Sequence, residues 1–346
     1  MHVPDGFLNA PTSVATGVVA AAAVTVALRK VRDEQEEKAA PLAGLTAAFI
    51  FAVQMLNFPV GVGTSGHLLG GALAAMLVGP WTAILCISVV LLVQGLLFAD
   101  GGLTALGTNI TLMGVVTVLV GWGVARIILG VLPRRPASVV PASFAAALVS
   151  VPVAALAFVG LYAIGGAADL PLGTLALTMV GWHSLIGLGE AAITAATVSA
   201  VVGVRPDLVY AARGLQPVLE LRSGGAPVPV PVAASPAPPR GSLRPVLLIG
   251  GAVALLLAGV VSFFASSSPD GLEYVAGENG FLETAREHVL GNLPLAGYGE
   301  VGGIPVGLAG ILGVAVTITV GWLLLRLLVR RRTRPTAEPA RSMERV

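Results

Sequence analysis

Ser223–Ser242, SGGAPVPVPVAASPAPPRGS, is a Pro/Ala/Ser-rich break in a chain otherwise built of apolar runs. It has no helical period, and a stretch of this composition is extended and semi-rigid or disordered. Upstream lie seven apolar runs, at 12–29, 41–57, 67–79, 80–98, 108–131, 138–164 and 174–203; downstream lie two, at 244–265 and 304–329. A membrane span needs about 20 apolar residues. The pattern predicts an all-α integral membrane protein: a seven-span module (1–203), a Pro/Ala-rich linker (204–242), a two-span module (243–330) with a loop at 266–303, and a basic tail (331–346). The third run is short. At about 1.5 Å per residue it reaches about 20 Å, less than the roughly 30 Å hydrocarbon core. It either starts earlier or ends at mid-membrane as a cavity wall.

Composition agrees. Apolar residues make up 55% of the chain and charged residues 11%, with a mean hydropathy of +0.90. A soluble domain carries about 25% charged residues. The 44 glycines suit a tightly packed helix bundle, because small residues let backbones approach in lipid. The net charge of +2 gives no case for nucleic-acid binding, and the lone Cys86 allows no intrachain disulfide.

Basic residues orient the chain. With the N-terminus outside, 19 of the 20 Lys and Arg fall inside or at the inner boundary, and only Arg286 lies outside. The positive-inside rule favours this orientation in a cell membrane, with the linker and tail cytoplasmic. Loop 266–303 is then external and acidic, with Asp270, Glu273, Glu278, Glu283, Glu287 and Glu300.

The chain opens Met1-His2-Val3-Pro4-Asp5-Gly6-Phe7-Leu8, with no basic residue before Arg29. A secretory signal places its positive charge first, so Met1 is expected to be the mature start. The α-amine, the His2 amide nitrogen and the His2 imidazole could then chelate one metal through fused rings. Such a planar nitrogen set suits Ni(II), Cu(II) or Co(II) rather than Zn(II) or Mg(II). The bland alternative is a polar residue at a chain end. His67 lies in Gly61–Gly70, GVGTSGHLLG, on the same side of the membrane. Its imidazole is a natural fourth nitrogen, with Asn57, Thr64 and Ser65 placed to hydrogen-bond the ligands.

Four segments carry a family resemblance: MHVPDGFL, QMLNFPVGVGTSGHLLGG, LLFADGGLTALGTNI and GWHSLIGLGE. Together they resemble the substrate-specific membrane component of cobalt/nickel energy-coupling-factor (ECF) transporters, the CbiM/NikM family. The resemblance implies an S-component-like bundle of seven helices. It also implies capture of Ni(II) or Co(II) as transported substrate by the Met1 amine, the backbone and ring nitrogens of His2, and His67. Ser268–Glu273, SPDGLE, resembles the PDGLE-type auxiliary component (NikN/CbiN-like), two helices around an external loop. The chain thus looks like a fusion of the two, which leans toward nickel. Partners implied are a transmembrane scaffold subunit (T component) and ATPase subunits.

Other polar positions leave alternatives open. Glu190 lies seven residues after His183, on about the same helix face. A hydrogen bond to His183 or a coupling role competes there with metal transfer. Asp100 caps a turn or lines the pocket, and Asn109 fits either description. No GxxxxGK[ST] phosphate loop occurs, so an ATP site belongs on another chain. The chain is expected not to be an enzyme. Competing readings are an intramembrane enzyme using His183 and Glu190, and a stand-alone metal channel or secondary carrier.

Overall fold

The computed structural model describes residues 1–34, 39–61, 63–215, 242–299 and 303–330. Most of the linker and the basic tail, with Glu300, lie outside the described residues. The described residues are 73% helix and 3% strand, an all-α architecture with one small hairpin among them. In order it forms α1 (Ala10–Glu34), α2 (Ala39–Gln54), β1 (Phe58–Gly61), β2 (Thr64–Gly66), α3 (Gly71–Val78), α4 (Pro80–Leu97) and α5 (Leu106–Asn109). A π-helical segment (Ile110–Val116) joins α5 to α6 (Thr117–Val131) without a break, giving one span over Leu106–Val131. There follow α7 (Val139–Gly165), α8 (Leu172–Val204), α9 (Arg244–Gly259), the short α10 (Gly271–Glu278) and α11 (Val306–Arg330).

Among the described residues seven helices are long and apolar enough to cross a membrane, and α2 is a shorter apolar helix. The run at 67–79 is not a full helix. Only Gly71–Val78 is helical, and eight residues rise about 12 Å. The helix cannot begin earlier because Gly70 is left-handed, with φ 86°, and a Cβ there would lie 2.8 Å from the Ile50 side chain. It ends at Gly79, φ 91°, and Pro80 opens α4 at once.

Interrupted backbone at membrane depth needs polar partners from the protein. Two helices supply them. Glu190 of α8 accepts the N–H of Leu69 at 2.6 Å and of Gly70 at 3.1 Å, while Gln54 of α2 donates its amide to the Leu69 carbonyl at 2.9 Å. The short helix is therefore a buried wedge in the bundle, capped at its start by a carboxylate, which also suits the positive end of the helix dipole.

The second module packs onto the first through α2, which lies against both α9 and α11. Small residues allow this. A Cβ on Gly313 of α11 would lie 2.0 Å from the Phe51 ring of α2, and one on Gly44 of α2 would lie 3.0 Å from the Ile318 carbonyl of α11. In lipid, where apolar side chains gain little by leaving the solvent, such close packing supplies the association. It sets residues 266–286 over the end of the bundle that carries the N-terminal arm.

Candidate metal centre

Residues 1–9 form an extended arm pinned at both edges. The Val3 N–H donates to Asn109 Oδ1 at 2.8 Å, and the Asn109 amide returns a bond to the Val3 carbonyl at 3.1 Å. The Asp5 carboxylate accepts the N–H groups of Leu103 (3.1 Å) and Thr104 (2.7 Å). The second module covers the other edge. The Arg286 N–H donates to the Asp5 carbonyl at 2.8 Å, and Phe281 meets the Phe7 ring edge-on at 5.0 Å. Gly6, φ 95°, has no room for a side chain: a Cβ would lie 2.2 Å from the Thr284 carbonyl.

This clamping buries Met1 and places its nitrogen in contact with His67 Nε2. His67 Nδ1 lies 3.0 Å from the Leu68 carbonyl. Assigning its proton there leaves the Nε2 lone pair facing Met1. The His2 and His67 rings stack with centroids 4.9 Å apart. His2 Nδ1 is 3.3 Å from Asp100 Oδ1, and His2 Nε2 is 3.2 Å from Gln94 Oε1. The His2 backbone N–H makes no hydrogen bond among the described residues. Met1, His2 and His67, distant in sequence, thus meet at one point.

A cavity of about 340 Å³ opens beside them, lined by His2, Gln54, Met55, Asn57, His67, Asp100, residues 266–270, Glu273 and Tyr298. Burial pulls the His2 imidazole down to about 4, with Asp100 acting in the opposite direction. Burial alone would raise the Asp270 carboxyl. The Met1 ammonium and His67 outweigh it and hold that group well below the usual carboxylate range. Among the described residues no three His, Cys, Asp or Glu side chains converge as a metal cluster. A metal here would depend on the Met1 nitrogen and the His2 backbone.

The other expected residues divide. Asp100 and Asn57 line the cavity, and Asn109 holds the arm. Thr64 and Ser65 make no hydrogen bond to the His67 ring among the described residues. Ser65 Oγ donates to the Ser268 carbonyl at 2.7 Å and its N–H to the Pro269 carbonyl at 2.9 Å, while Thr64 reaches Pro269 at 3.5 Å. They hold the second module's loop instead. His183 and Glu190 are buried but form no pair. His183 Nδ1 meets the Met179 carbonyl at 2.8 Å, and its Nε2 has no partner among the described residues. Glu190 is spent on the start of α3. An enzyme dyad has no geometric basis there.

Sequence reasoning missed Asp270, Gln94 and Gln54. Asp270 carried one local signal, because Asp followed three residues later by Glu273 marks a helix start. Its meeting with Met1, at 3.1 Å, is set by packing between the modules and leaves no local trace.

Residues 2–208 match the CbiM family, described as the cobalt uptake substrate-specific transmembrane region, and residues 244–330 match the PDGLE domain. The chain is 38% identical over 210 residues to a Haloquadratum walsbyi protein provisionally named for metal transport, covering 61% of this chain and 94% of that one. It is 31% identical over 270 residues to the fused nickel transport protein NikMN of Rhodobacter capsulatus, covering 78% of this chain and 63% of that one. A crystal structure of a transition metal transporter superposes with a TM-score of 0.52 at 30% identity, over 59% of this chain and 93% of the other. The chain belongs to the CbiM family of cobalt/nickel transport membrane components and carries a PDGLE domain as its second part.

Proposed function

We propose that this chain is the substrate-capturing component of an ATP-driven, ECF-type nickel or cobalt importer. Residues 1–203 capture the ion, residues 243–330 assist, and a separate scaffold subunit and ATPases drive transport. The N-terminus and loop 266–303 face outside, and residues 204–242 and the C-terminal tail face the cytoplasm. In this reading the Met1 amine, the deprotonated His2 amide, His2 Nδ1 and His67 Nε2 bind Ni(II) or Co(II). Amine and amide close one chelate ring, amide and Nδ1 a second, and His67 fills the fourth position of a planar set. The remaining His2 N–H points at Gln94 Oε1, which would fix the ring. The observation that carries the reading is the contact of the Met1 nitrogen with His67 Nε2 beneath the stacked His2 ring. Fusion to a PDGLE domain and the naming of the Rhodobacter relative favour nickel.

Equilibrium Ni(II) binding to His2→Ala and His67→Ala tests it. His2→Ala removes a ring nitrogen and breaks the second chelate, so binding should vanish. His67→Ala should leave a weaker three-nitrogen site, with affinity down by about 10-fold to 100-fold, the loss seen when supporting metal contacts are removed. Wild-type affinity in both variants would sink the nitrogen set.

A further inference from the structure

Asp270 belongs to the second module, yet its carboxylate reaches the nitrogens of the first. Oδ2 lies 3.1 Å from the Met1 nitrogen and 3.6 Å from His67 Nε2. Oδ1 is engaged elsewhere. It accepts the N–H groups of Leu272 and Glu273, each at 2.9 Å, as the N-cap of α10. The backbone is tied as well, through Ser65 bonded to the Ser268 and Pro269 carbonyls. One carboxylate oxygen is thus fixed on its own helix, and the other faces the two nitrogens from the cavity side. The Asp270 side chain remains 16% exposed, so it borders the cavity and the nitrogens at once.

We propose that Asp270 is a loading ligand, the oxygen that receives an incoming Ni(II) or Co(II) ion and passes it to Met1, His2 and His67. This rests on the capture site proposed above.

A planar set of four nitrogens has no equatorial place left for a carboxylate, so Asp270 acts on the way in rather than in the final complex. Its neighbours suit an ion arriving with water. Asp100 and Glu273 line the same cavity, and among the described residues no Lys or Arg does. Independent of these carboxylates, Gln54 also lines it. Gln54 is 4% exposed, and its Oε1 has no partner among the described residues, its amide being used on Leu69. A buried amide oxygen without a donor is a natural partner for a cation or its water. About six waters at about 30 Å³ each need about 180 Å³, which a cavity of about 340 Å³ holds. Ligand exchange then proceeds stepwise: Asp270 Oδ2 replaces the first water; the imidazole nitrogens and, as their protons pass to water, the Met1 amine and the His2 amide replace further waters; and the last nitrogen to bind displaces Oδ2, which leaves the metal.

The test is stopped-flow mixing of the full chain, with an unmodified N-terminus, with Ni(II) chloride, beside equilibrium titration. Asp270→Asn and Asp270→Ser both retain an N-capping side chain for α10, so the loop should stay folded. In both, the association rate should fall by about tenfold or more, the range over which local charge steers cations. The dissociation rate should fall with it, leaving the dissociation constant within about threefold at one Ni(II) per chain, well under a tenfold step in affinity. Unchanged rates would overturn the proposal. So would loss of bound Ni(II) in both variants, which would make Asp270 a permanent ligand or a structural prop. Failure of the capture site itself is read separately, as Ni(II) retained by His2→Ala.

Discussion

Glu190 accepts the Leu69 N–H at 2.6 Å, and this bond ties the buried start of α3 to the middle of α8, two residues from His67. A 33-residue helix thereby holds the segment that presents the imidazole. Glu190→Ala should leave the Leu69 and Gly70 N–H groups buried without acceptors. Each such loss costs about 1–3 kcal/mol. Glu190→Gln keeps one acceptor and should lose less. Thermal unfolding in detergent, followed by circular dichroism, checks this. Equal stability of Glu190→Ala and wild type would refute the tie.

Asn109 holds the arm at Val3 with two hydrogen bonds. Asn109→Ala should free the arm without unfolding the bundle, because α5 keeps its packing on α1 and the bond between the Thr108 and Thr16 hydroxyls at 2.8 Å. Ni(II) affinity should drop by about tenfold, equivalent to about 1.4 kcal/mol. Calorimetric titration measures it. An unchanged affinity would mean that the Asp5 and Arg286 contacts alone position the arm.

The pH dependence has a defined sign. The folded His2 imidazole titrates at about 4, below its unfolded value of 6.5. Between those values the unfolded chain binds more protons, so stability falls as pH drops through that window, by up to about 3 kcal/mol. Asp270 adds to the loss only lower, since its stabilisation is present above pH 3.8 and disappears as pH falls through its depressed folded value. In His2→Gln the decline between pH 6.5 and 4 should shrink. Melting temperatures across that range test the sign; a wild-type melting point that rises on acidification would contradict it. In Ni(II) binding near neutral pH the His2 ring is already neutral, so proton release should come from the amine and the amide.

The placement of the basic residues motivates the proposed topology. In a Cys86→Ser background, single cysteines placed at exposed positions of loop 266–303 should react with an impermeant reagent from outside, and those at 205–215 only from the cytoplasm. Labelling of loop 266–303 from the cytoplasmic side alone would reverse the orientation.

Much of the fold was legible because hydropathy reports span length directly. The runs at 80–98 and 174–203 became α4 and α8 within a few residues. The run at 67–79 was ambiguous for a physical reason. Apolar composition cannot show that Gly70 turns left-handed or that Glu190 supplies the missing acceptor. Glu190 was placed correctly in its helix, but its expected pairing with His183 did not form, because the nearer need is the unsatisfied backbone of α3. Met1 and His2 drew notice because a free amine, an amide and an imidazole lie within two residues, and His67 because of its Gly-rich segment and the family resemblance; the structure brings the three together. Asp270, Gln94 and Gln54 could not, because their meeting depends on how helices far apart in sequence pack.

The central claim is that the chain start itself is the metal ligand. It requires Met1 to be retained, unacetylated and unextended. An extension of several residues turns the Met1 nitrogen into an amide and carries the free amine away from His2 and His67, in a site whose metal–ligand distances tolerate about 0.2 Å; a single added residue is no test, because an amine, two amides and a His at position three form a planar four-nitrogen chelate of their own. The direct measurement is metal content by elemental analysis, at equal folded fraction, of the full chain with a free Met1 and of the same chain carrying an N-terminal extension of several residues without His. The account predicts one Ni(II) or Co(II) per chain in the first and none in the second. One tightly held ion in the extended chain would contradict it.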